Sequence, residues 1–296
     1  MDLQPRHRLA KIKAVDELTL EAWLYESEDP AMPIVITHGA RRGSEGLPRN
    51  QIDPSKMIED ISGMPRVAWY LYVEKPLLSI VLDVVSFAAA LPSVDPRRIA
   101  LWGMSFGAAV SGVAAAINRR VAAVLIVCPL FSYIRADRRA AVSAQLIKDR
   151  KSQLRGNEAF TTPPFNNRGE NPAGFAGAGG AGGSKAYTLM KAAAEHGHPN
   201  FRDRFTFQTY HKFALFRPKA LLVDFLEGTP TMMIIPELDE MSPPAEQRDV
   251  FESLHTPKQL HLAIGKEHLS VLDGEGSLDL RAIMVNFFMS ALAPES

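Results

Sequence analysis

Continuous apolar runs, separated by helical patterns, predict a β-sheet that is covered by helices on both faces. The predicted strands are at 33–37, 68–73, 99–102, 121–127, 231–236 and 258–264, and the predicted helices are at 77–91, 108–117, 245–254 and 278–292. The run at 33–37 is β-branched and unbroken, which is typical of a central parallel strand. Residues 18–25 alternate apolar with polar, which favours an edge or half-buried strand. The pattern therefore predicts an α/β fold with a mostly parallel, doubly wound sheet.

A Gly-x-Ser-x-Gly pentapeptide, Gly103 to Gly107, lies between the strand at 99–102 and the helix at 108–117. The pentapeptide alone would occur by chance in roughly one chain in ten of this length. The strand before it and the helix after it supply the context of a nucleophile elbow, the sharp turn that exposes the serine of α/β-hydrolases. The pattern predicts Ser105 as the nucleophile and the backbone N–H of Phe106 as one donor to an oxyanion.

A His-Gly pair follows the predicted strand at 33–37, well before the elbow. In α/β-hydrolases the loop at this position supplies the second backbone donor of the oxyanion hole. We place that donor at Ala40 or Arg41, and Ala40 is the residue we name. The alternative is that His38 only ends the strand and has no chemical role.

The acid and the base of the predicted triad come from two late strand ends. Asp239 lies three residues past the strand at 231–236, and His268 lies four residues past the strand at 258–264. The chain order serine, acid, histidine is the one that this fold requires. The rival acids are Glu237 and Glu240. The alternative roles are a turn residue facing solvent for Asp239 and a surface histidine for His268.

Residues 131–225 lie between predicted core strands and are interpreted as an insertion that forms a cap over the active site of a single domain, 1–296. Within it, the glycine-rich run 177–183 follows no apolar strand and is not closed by Gly-Lys-Ser/Thr. It therefore does not match a phosphate-binding loop, and we expect a flexible surface loop.

The balance of 33 basic and 33 acidic residues gives no electrostatic argument for binding nucleic acid or an anionic membrane surface. The single cysteine, Cys128, lies in an apolar run and is expected to be a buried core thiol. No signal peptide or membrane span is visible, so the cytoplasm is the expected location. No group of residues has metal-ligand spacing, and neither a metal nor a cofactor is implied.

Three stretches of the chain, 93–105, 173–201 and 233–269, resemble the fungal polyketide transferase and thiohydrolase group, which is similar to dienelactone-hydrolase-like enzymes. The resemblance covers about the last two thirds of the chain. It implies the α/β-hydrolase fold and acyl transfer from a carrier-bound polyketide to an alcohol or to water, without a cofactor. By position in the motifs it assigns the nucleophile to Ser105, the acid to Asp239 and the base to His268.

The hypothesis is therefore a serine acyltransferase or acyl hydrolase of secondary metabolism. Its substrate is a small-molecule acyl thioester or ester, either free or attached to a carrier protein. One alternative is a carboxylesterase or dienelactone-type hydrolase. A further alternative is an inactive relative, because residues 40–95 leave little room for the helix, strand and helix expected there. The sequence does not indicate an oligomeric state.

Overall fold

An eight-stranded, mostly parallel β-sheet organises the part of the chain that the computed structural model describes, residues 7–15, 17, 19–25, 34–37, 68–71, 77–195 and 204–293. Its strands are β1 (His7–Lys13), β2 (Thr19–Tyr25), β3 (Ile34–Thr37), β4 (Ala68–Leu71), β5 (Ile99–Met104), β6 (Val121–Val127), β9 (Thr231–Pro236) and β10 (Lys258–Ala263). The short strands β7 (Thr161–Thr162) and β8 (Phe205–Thr206) form a separate antiparallel pair.

The strand order is β1-β2-β4-β3-β5-β6-β9-β10. The β1–β2 and β2–β4 pairs are antiparallel, and the other neighbours are parallel. The parallel region therefore begins at β4 and places the carboxyl ends of β5, β6, β9 and β10 along one edge of the sheet. Active-site side chains of open α/β sheets come from this edge.

Helices cover both faces of the sheet. They are α1 (Leu77–Ala89), α2 (Phe106–Ile117), α3 (Arg139–Gln153, preceded by the 3₁₀ turn Ala136–Arg138), α4 (Ala181–Glu195), α5 (Thr209–Leu215), α6 (Pro218–Phe225), α7 (Pro244–Ser253) and α8 (Ser277–Ala291). Leu101 on β5 belongs to a buried cluster with residues of α1, α2, α6 and α7. Trp102, the next residue, packs in a second cluster with α8. Alternate strand residues thus enter two cores, as the unbroken apolar runs predict.

Strand β1 and helix α6 are among the elements that were not predicted. Strand β1 lies in a polar, basic stretch, where the buried Ala10 and Ile12 alternate with the exposed Lys11 and Lys13. The apolar half of that pattern is too short to stand out from the charges. Helix α6 lies inside the predicted insertion, yet its Leu222 is fully buried against α2.

The segment 131–225 has a small apolar cluster of its own besides α6. Val142, Ala173, Phe207 and Tyr210 are its buried members. The assignment of this segment as a cap, and of 1–296 as one domain, stays a prediction. The loop predicted to hold Ala40 lies outside the described residues, and between 40 and 95 the described elements are β4 and α1.

The expectation of a flexible loop at 177–183 is wrong for part of the run. Helix α4 begins at Ala181, so the run ends inside a helix. A Cβ atom on Gly177 would lie 2.6 Å from the carbonyl oxygen of Glu240, and one on Gly182 would lie 3.0 Å from Met241 Cγ. These glycines are present because the backbone packs closely against the segment around Asp239, not because the run is loose.

No helix within the described residues has the length and apolarity to cross a bilayer.

Helix α2 passes very close to strand β5 at Gly103. A Cβ atom there would collide with the backbone carbonyl of Gly107 and would lie 2.7 Å from Ser111 Oγ. Since a helix backbone cannot move aside as a side-chain end can, Gly103→Ala is expected to lower the free energy of unfolding by about 3 kcal/mol or more. Urea denaturation measures the loss. Gly180→Ala is the control, because its Cβ would have only one ordinary contact, at 3.5 Å. Equal stability of the two variants would contradict this packing argument.

Candidate active site

Ser105 lies at the turn between β5 and α2 in a backbone conformation that L-residues rarely adopt, with φ 59° and ψ −123°. The strain is held by hydrogen bonds to the end of β6: the Ser105 N–H donates to Val127 O at 2.9 Å, and the Leu130 N–H donates to Ser105 O at 3.1 Å. A conformation of this kind costs about 1–3 kcal/mol and persists only where its surroundings fix it. The turn thus presents the Ser105 hydroxyl at the carboxyl edge of the sheet.

Asp239 lies in the turn after β9 and is buried, with 4% of its surface exposed. Its Oδ1 accepts the backbone N–H groups of Met241 (2.9 Å) and Ser242 (2.7 Å). Its Oδ2 accepts the side-chain amide of Gln247 at 3.1 Å and faces His268 Nδ1 at 2.8 Å. Both carboxylate oxygens are therefore held in place by the turn and by α7.

His268 follows β10, and its ring connects the other two side chains. Nδ1 lies 2.8 Å from Asp239 Oδ2, and Nε2 lies 2.8 Å from Ser105 Oγ. When Nδ1 carries the proton that it shares with Asp239, the lone pair of Nε2 faces the serine hydroxyl. The structure thus brings together the three side chains that the sequence singled out. The rival acids Glu237 and Glu240 are exposed, and Glu237 accepts the N–H of Gly265.

Opposing effects act on the pKa of His268, which is only 3% exposed. Burial disfavours the charged imidazolium and lowers the pKa, whereas Cys128 and Asp239 raise it, and the net pKa lies well above the ordinary value of 6.5. Burial also raises the pKa of the Cys128 thiol, so the thiol is neutral near pH 7. The Asp239 carboxylate is then the charge that favours the imidazolium.

Gln247 and Ser242 support the acid and were not singled out from the sequence. Gln247 is fully buried, and its amide donates to Ser242 O at 2.6 Å as well as to Asp239. Ser242 Oγ donates to Pro129 O at 2.5 Å, which ties the acid turn to the end of β6. The sequence did contain a signal that Gln247 is buried. The residue lies three positions before Val250 and four before Phe251, so all three share the buried face of α7.

Cys128 is fully buried, as predicted, and its Sγ lies 4.0 Å from His268 Nε2. Cys128, Asp239 and His268 each offer one potential metal ligand within 4.8 Å of one another. The ring nitrogens of His268 already face Asp239 Oδ2 and Ser105 Oγ, so a metal bound to the ring would have to displace one of these two side chains.

Phe106, the residue after Ser105, begins α2, so its N–H lies among the first helical donors that have no acceptor within the helix. Its ring makes edge contacts with Tyr133, Phe213 and Phe216 at centroid distances of 5.4, 5.5 and 5.8 Å. We call these three residues the aromatic wall. The second predicted donor, Ala40, lies outside the described residues.

The comparison with known families connects part of the chain to esterases. The family model described as acetyl xylan esterase matches residues 61–145, which include β5, the serine turn and α2. The match therefore contains the elbow that the sequence predicts.

Curated relatives match nearly the whole chain. A thiohydrolase from Eupenicillium brefeldianum is 32% identical over 97% of this chain and 95% of its own length. A polyketide transferase from Penicillium crustosum is 35% identical over 86% of this chain and 76% of its own length. Both names belong to the group that the sequence resembles.

Solved structures of similar proteins confirm the predicted fold. The α/β hydrolase GrgF from a Penicillium species superposes with a TM-score of 0.80 at 26% identity, covering 97% of this chain and 99% of that one. DcsB, solved with its substrate analogue, superposes with a TM-score of 0.88 at 38% identity, covering 97% and 100%. The central sheet with helices on both faces is thus the α/β-hydrolase fold.

The contact between Asp239 and His268 predicts how the imidazole titrates. NMR of the His268 ring should give a pKa above 6.5 in the native protein. In Asp239→Asn the pKa should fall, because burial still opposes the charge while the carboxylate that favours it is gone. Asp137→Asn is the matched control, since Asp137 is an exposed carboxylate paired with Arg135. An unchanged His268 pKa in Asp239→Asn would contradict the assignment.

Proposed function

Because the chain belongs to the family of fungal polyketide transferases and thiohydrolases within the α/β-hydrolase superfamily, we propose that it is a serine acyltransferase or acyl hydrolase. The substrate is a polyketide or related acyl group, held as a thioester or ester in secondary-metabolite biosynthesis. The observation that carries the proposal is a pair of 2.8 Å contacts, one between Ser105 Oγ and His268 Nε2 and one between His268 Nδ1 and Asp239 Oδ2. This arrangement is what acyl transfer through a covalent acyl-enzyme requires.

In the first half-reaction, Ser105 Oγ attacks the carbonyl carbon of the thioester or ester while its proton moves to His268 Nε2. The imidazolium that forms is stabilised by the buried Asp239 carboxylate. The tetrahedral intermediate collapses, the carbon–sulfur or carbon–oxygen bond breaks, and His268 returns the proton to the departing thiol or alcohol. Ser105 then carries the acyl group as an ester.

In the second half-reaction, an alcohol or water attacks this ester while His268 Nε2 accepts its proton. Collapse of the second intermediate releases the product, and the proton returns to Ser105 Oγ. The negative charge on both intermediates is held by the N–H of Phe106 and by the predicted donor at Ala40. Since His268 accepts protons only when neutral, and its pKa is raised, activity falls as the pH drops through that pKa.

Plain hydrolysis is a second candidate function. The acetyl xylan esterase family match and the thiohydrolase name of one relative favour water as the acceptor. An inactive relative is the remaining hypothesis, and it predicts a folded protein whose serine does not react.

The reactivity of Ser105 is tested directly with a fluorophosphonate probe, read by intact mass and peptide mapping. We expect one adduct, on Ser105, that forms faster as the pH is raised, because only the neutral form of His268 activates that hydroxyl. Ser105→Ala should remove labelling, and Ser290→Ala, which changes an exposed serine on α8, should leave it unchanged. Absence of an adduct on a protein that melts cooperatively would reject the mechanism and favour the inactive relative.

The acceptor is tested by product analysis with an acyl thioester in the presence of increasing alcohol. A transferase should yield ester product that rises with alcohol concentration while total thiol release depends only weakly on it. Free acid alone at every alcohol concentration would reject transfer and favour the esterase alternative. Ser105→Ala is the blank, and its turnover should lie about 10³-fold or more below that of the native protein.

A further inference from the structure

A cavity of about 320 Å³ is bounded by the same aromatic wall that holds Phe106, the neighbour of Ser105. Tyr133, Phe213 and Phe216 contact the Phe106 ring and also line this cavity. A single layer of side chains therefore connects the cavity to the residue beside the proposed nucleophile. The volume is within the range of small-molecule sites.

Three cations line the same cavity: Arg139 at the start of α3, and Arg217 and Lys219 at the start of α6. Lys219 pairs with Glu246. Within the described residues, neither Arg139 nor Arg217 has an ion pair, and the described lining includes no carboxylate. We call this site the cationic cavity. It carries positive charge that the described protein does not neutralise.

Such a site suits an anion with several oxygens. Guanidinium groups match phosphate oxygens with paired hydrogen bonds, and walls of low dielectric concentrate the field of like charges. Arg217 is also the residue immediately before α6, where the helix dipole adds to the positive potential. The aromatic part of the lining offers an apolar surface to whatever is attached to the anion.

We propose that the cationic cavity binds the phosphate of a 4′-phosphopantetheine thioester, so that Arg139 and Arg217 recognise the carrier of the acyl group. This inference rests on the proposed function, in which a thioester is the acyl donor. The phosphate lies at the end of the pantetheine arm opposite the thioester, so the proposal requires the arm to run from this cavity past the aromatic wall to Ser105.

The phosphate could belong to a carrier protein or to coenzyme A, and the charges on α3 favour the protein. Residues 135–155 contain seven basic and two acidic side chains in a chain of zero net charge. Asp149 is buried and accepts hydrogen bonds from Phe160 N and Gln208, whereas Asp137 pairs with Arg135. The exposed surface of α3 is therefore basic from Arg139 onward, which complements an acidic carrier protein.

The test measures binding in the Ser105→Ala background, which needs no catalysis. Calorimetry should show 4′-phosphopantetheine binding at least tenfold more tightly than pantetheine, with the preference shrinking as salt is added. Arg139→Gln combined with Arg217→Gln should remove the preference while leaving pantetheine affinity unchanged. Arg248→Gln, which alters an exposed arginine on α7, is the matched control and should keep the preference.

The proposal would be overturned if the two compounds bound with equal affinity or if neither bound. It would also be overturned if the double variant weakened the binding of both compounds equally. Thermal unfolding of the double variant should match that of the parent, so that a lost preference reports the two arginines and not a damaged fold. Failure of the serine mechanism appears separately, as absence of the fluorophosphonate adduct, and does not alter these affinities.

The source of the phosphate is tested by comparing the binding of three ligands. They are an acidic acyl carrier protein that carries phosphopantetheine, the same protein without it, and coenzyme A. The modified carrier should bind more tightly than both. Arg150→Glu with Lys151→Glu should weaken the modified carrier about tenfold and leave 4′-phosphopantetheine unchanged. Tighter binding of coenzyme A than of the modified carrier would overturn the carrier protein as the source.

Discussion

The close approach of β5 and α2 is the constraint on which the rest of the site depends. Gly103 lets the helix backbone pass over the strand, and only then can the chain turn at Ser105 with a positive φ. The strained turn is fixed by backbone hydrogen bonds to Val127 and Leu130, at the end of the neighbouring strand. The hydroxyl is therefore positioned by two adjacent strands and one helix, which are rigid parts of the core, and not by a loop. A site placed in this way loses little energy to reorganisation when charge develops on a bound carbonyl.

The acid is held by a different balance of forces. Burying a carboxylate is costly unless its oxygens are hydrogen-bonded, and Asp239 accepts two backbone N–H groups, one amide and the imidazole. The amide comes from Gln247, whose own carbonyl oxygen is buried with no partner among the described residues. One unsatisfied oxygen on a fully buried glutamine is thus tolerated at the point where its amide orients the acid. The same hydrogen bonds fix the Asp239 oxygen that faces His268, and Cys128 and this carboxylate together raise the pKa of the histidine against the effect of burial.

The fold and the three central side chains could be predicted because their signals are local. Unbroken apolar runs marked the parallel strands, and the Gly-x-Ser-x-Gly turn marked the crossing of strand and helix. Asp239 and His268 were found because strand ends along one edge of a parallel sheet lie close together. Strand β1 was missed because its short alternation is hidden among charges, and α6 because it lies within a segment interpreted as an insertion. The packing of Gly177 and Gly182 against the Asp239 turn could not be read from composition, since glycine marks loose loops and tight contacts alike. The role of Gln247 and the neighbours of Phe106 depend on contacts between distant segments, which periodicity does not encode.

The aromatic wall links the serine turn to the cationic cavity. The proposed triad depends on β5, β6, β9, β10 and α7, whereas the wall and the cationic cavity come from the segment 131–225. Phe106 belongs to both, because its backbone is part of the serine turn and its ring packs on Tyr133, Phe213 and Phe216. Changes in that segment can therefore alter what reaches Ser105 without disturbing the hydrogen bonds that orient His268. Substitutions within the wall itself differ, since they move the ring of the residue whose N–H is proposed to hold the oxyanion. The proposed donor recognition and the proposed chemistry thus meet at one phenylalanine, Phe106.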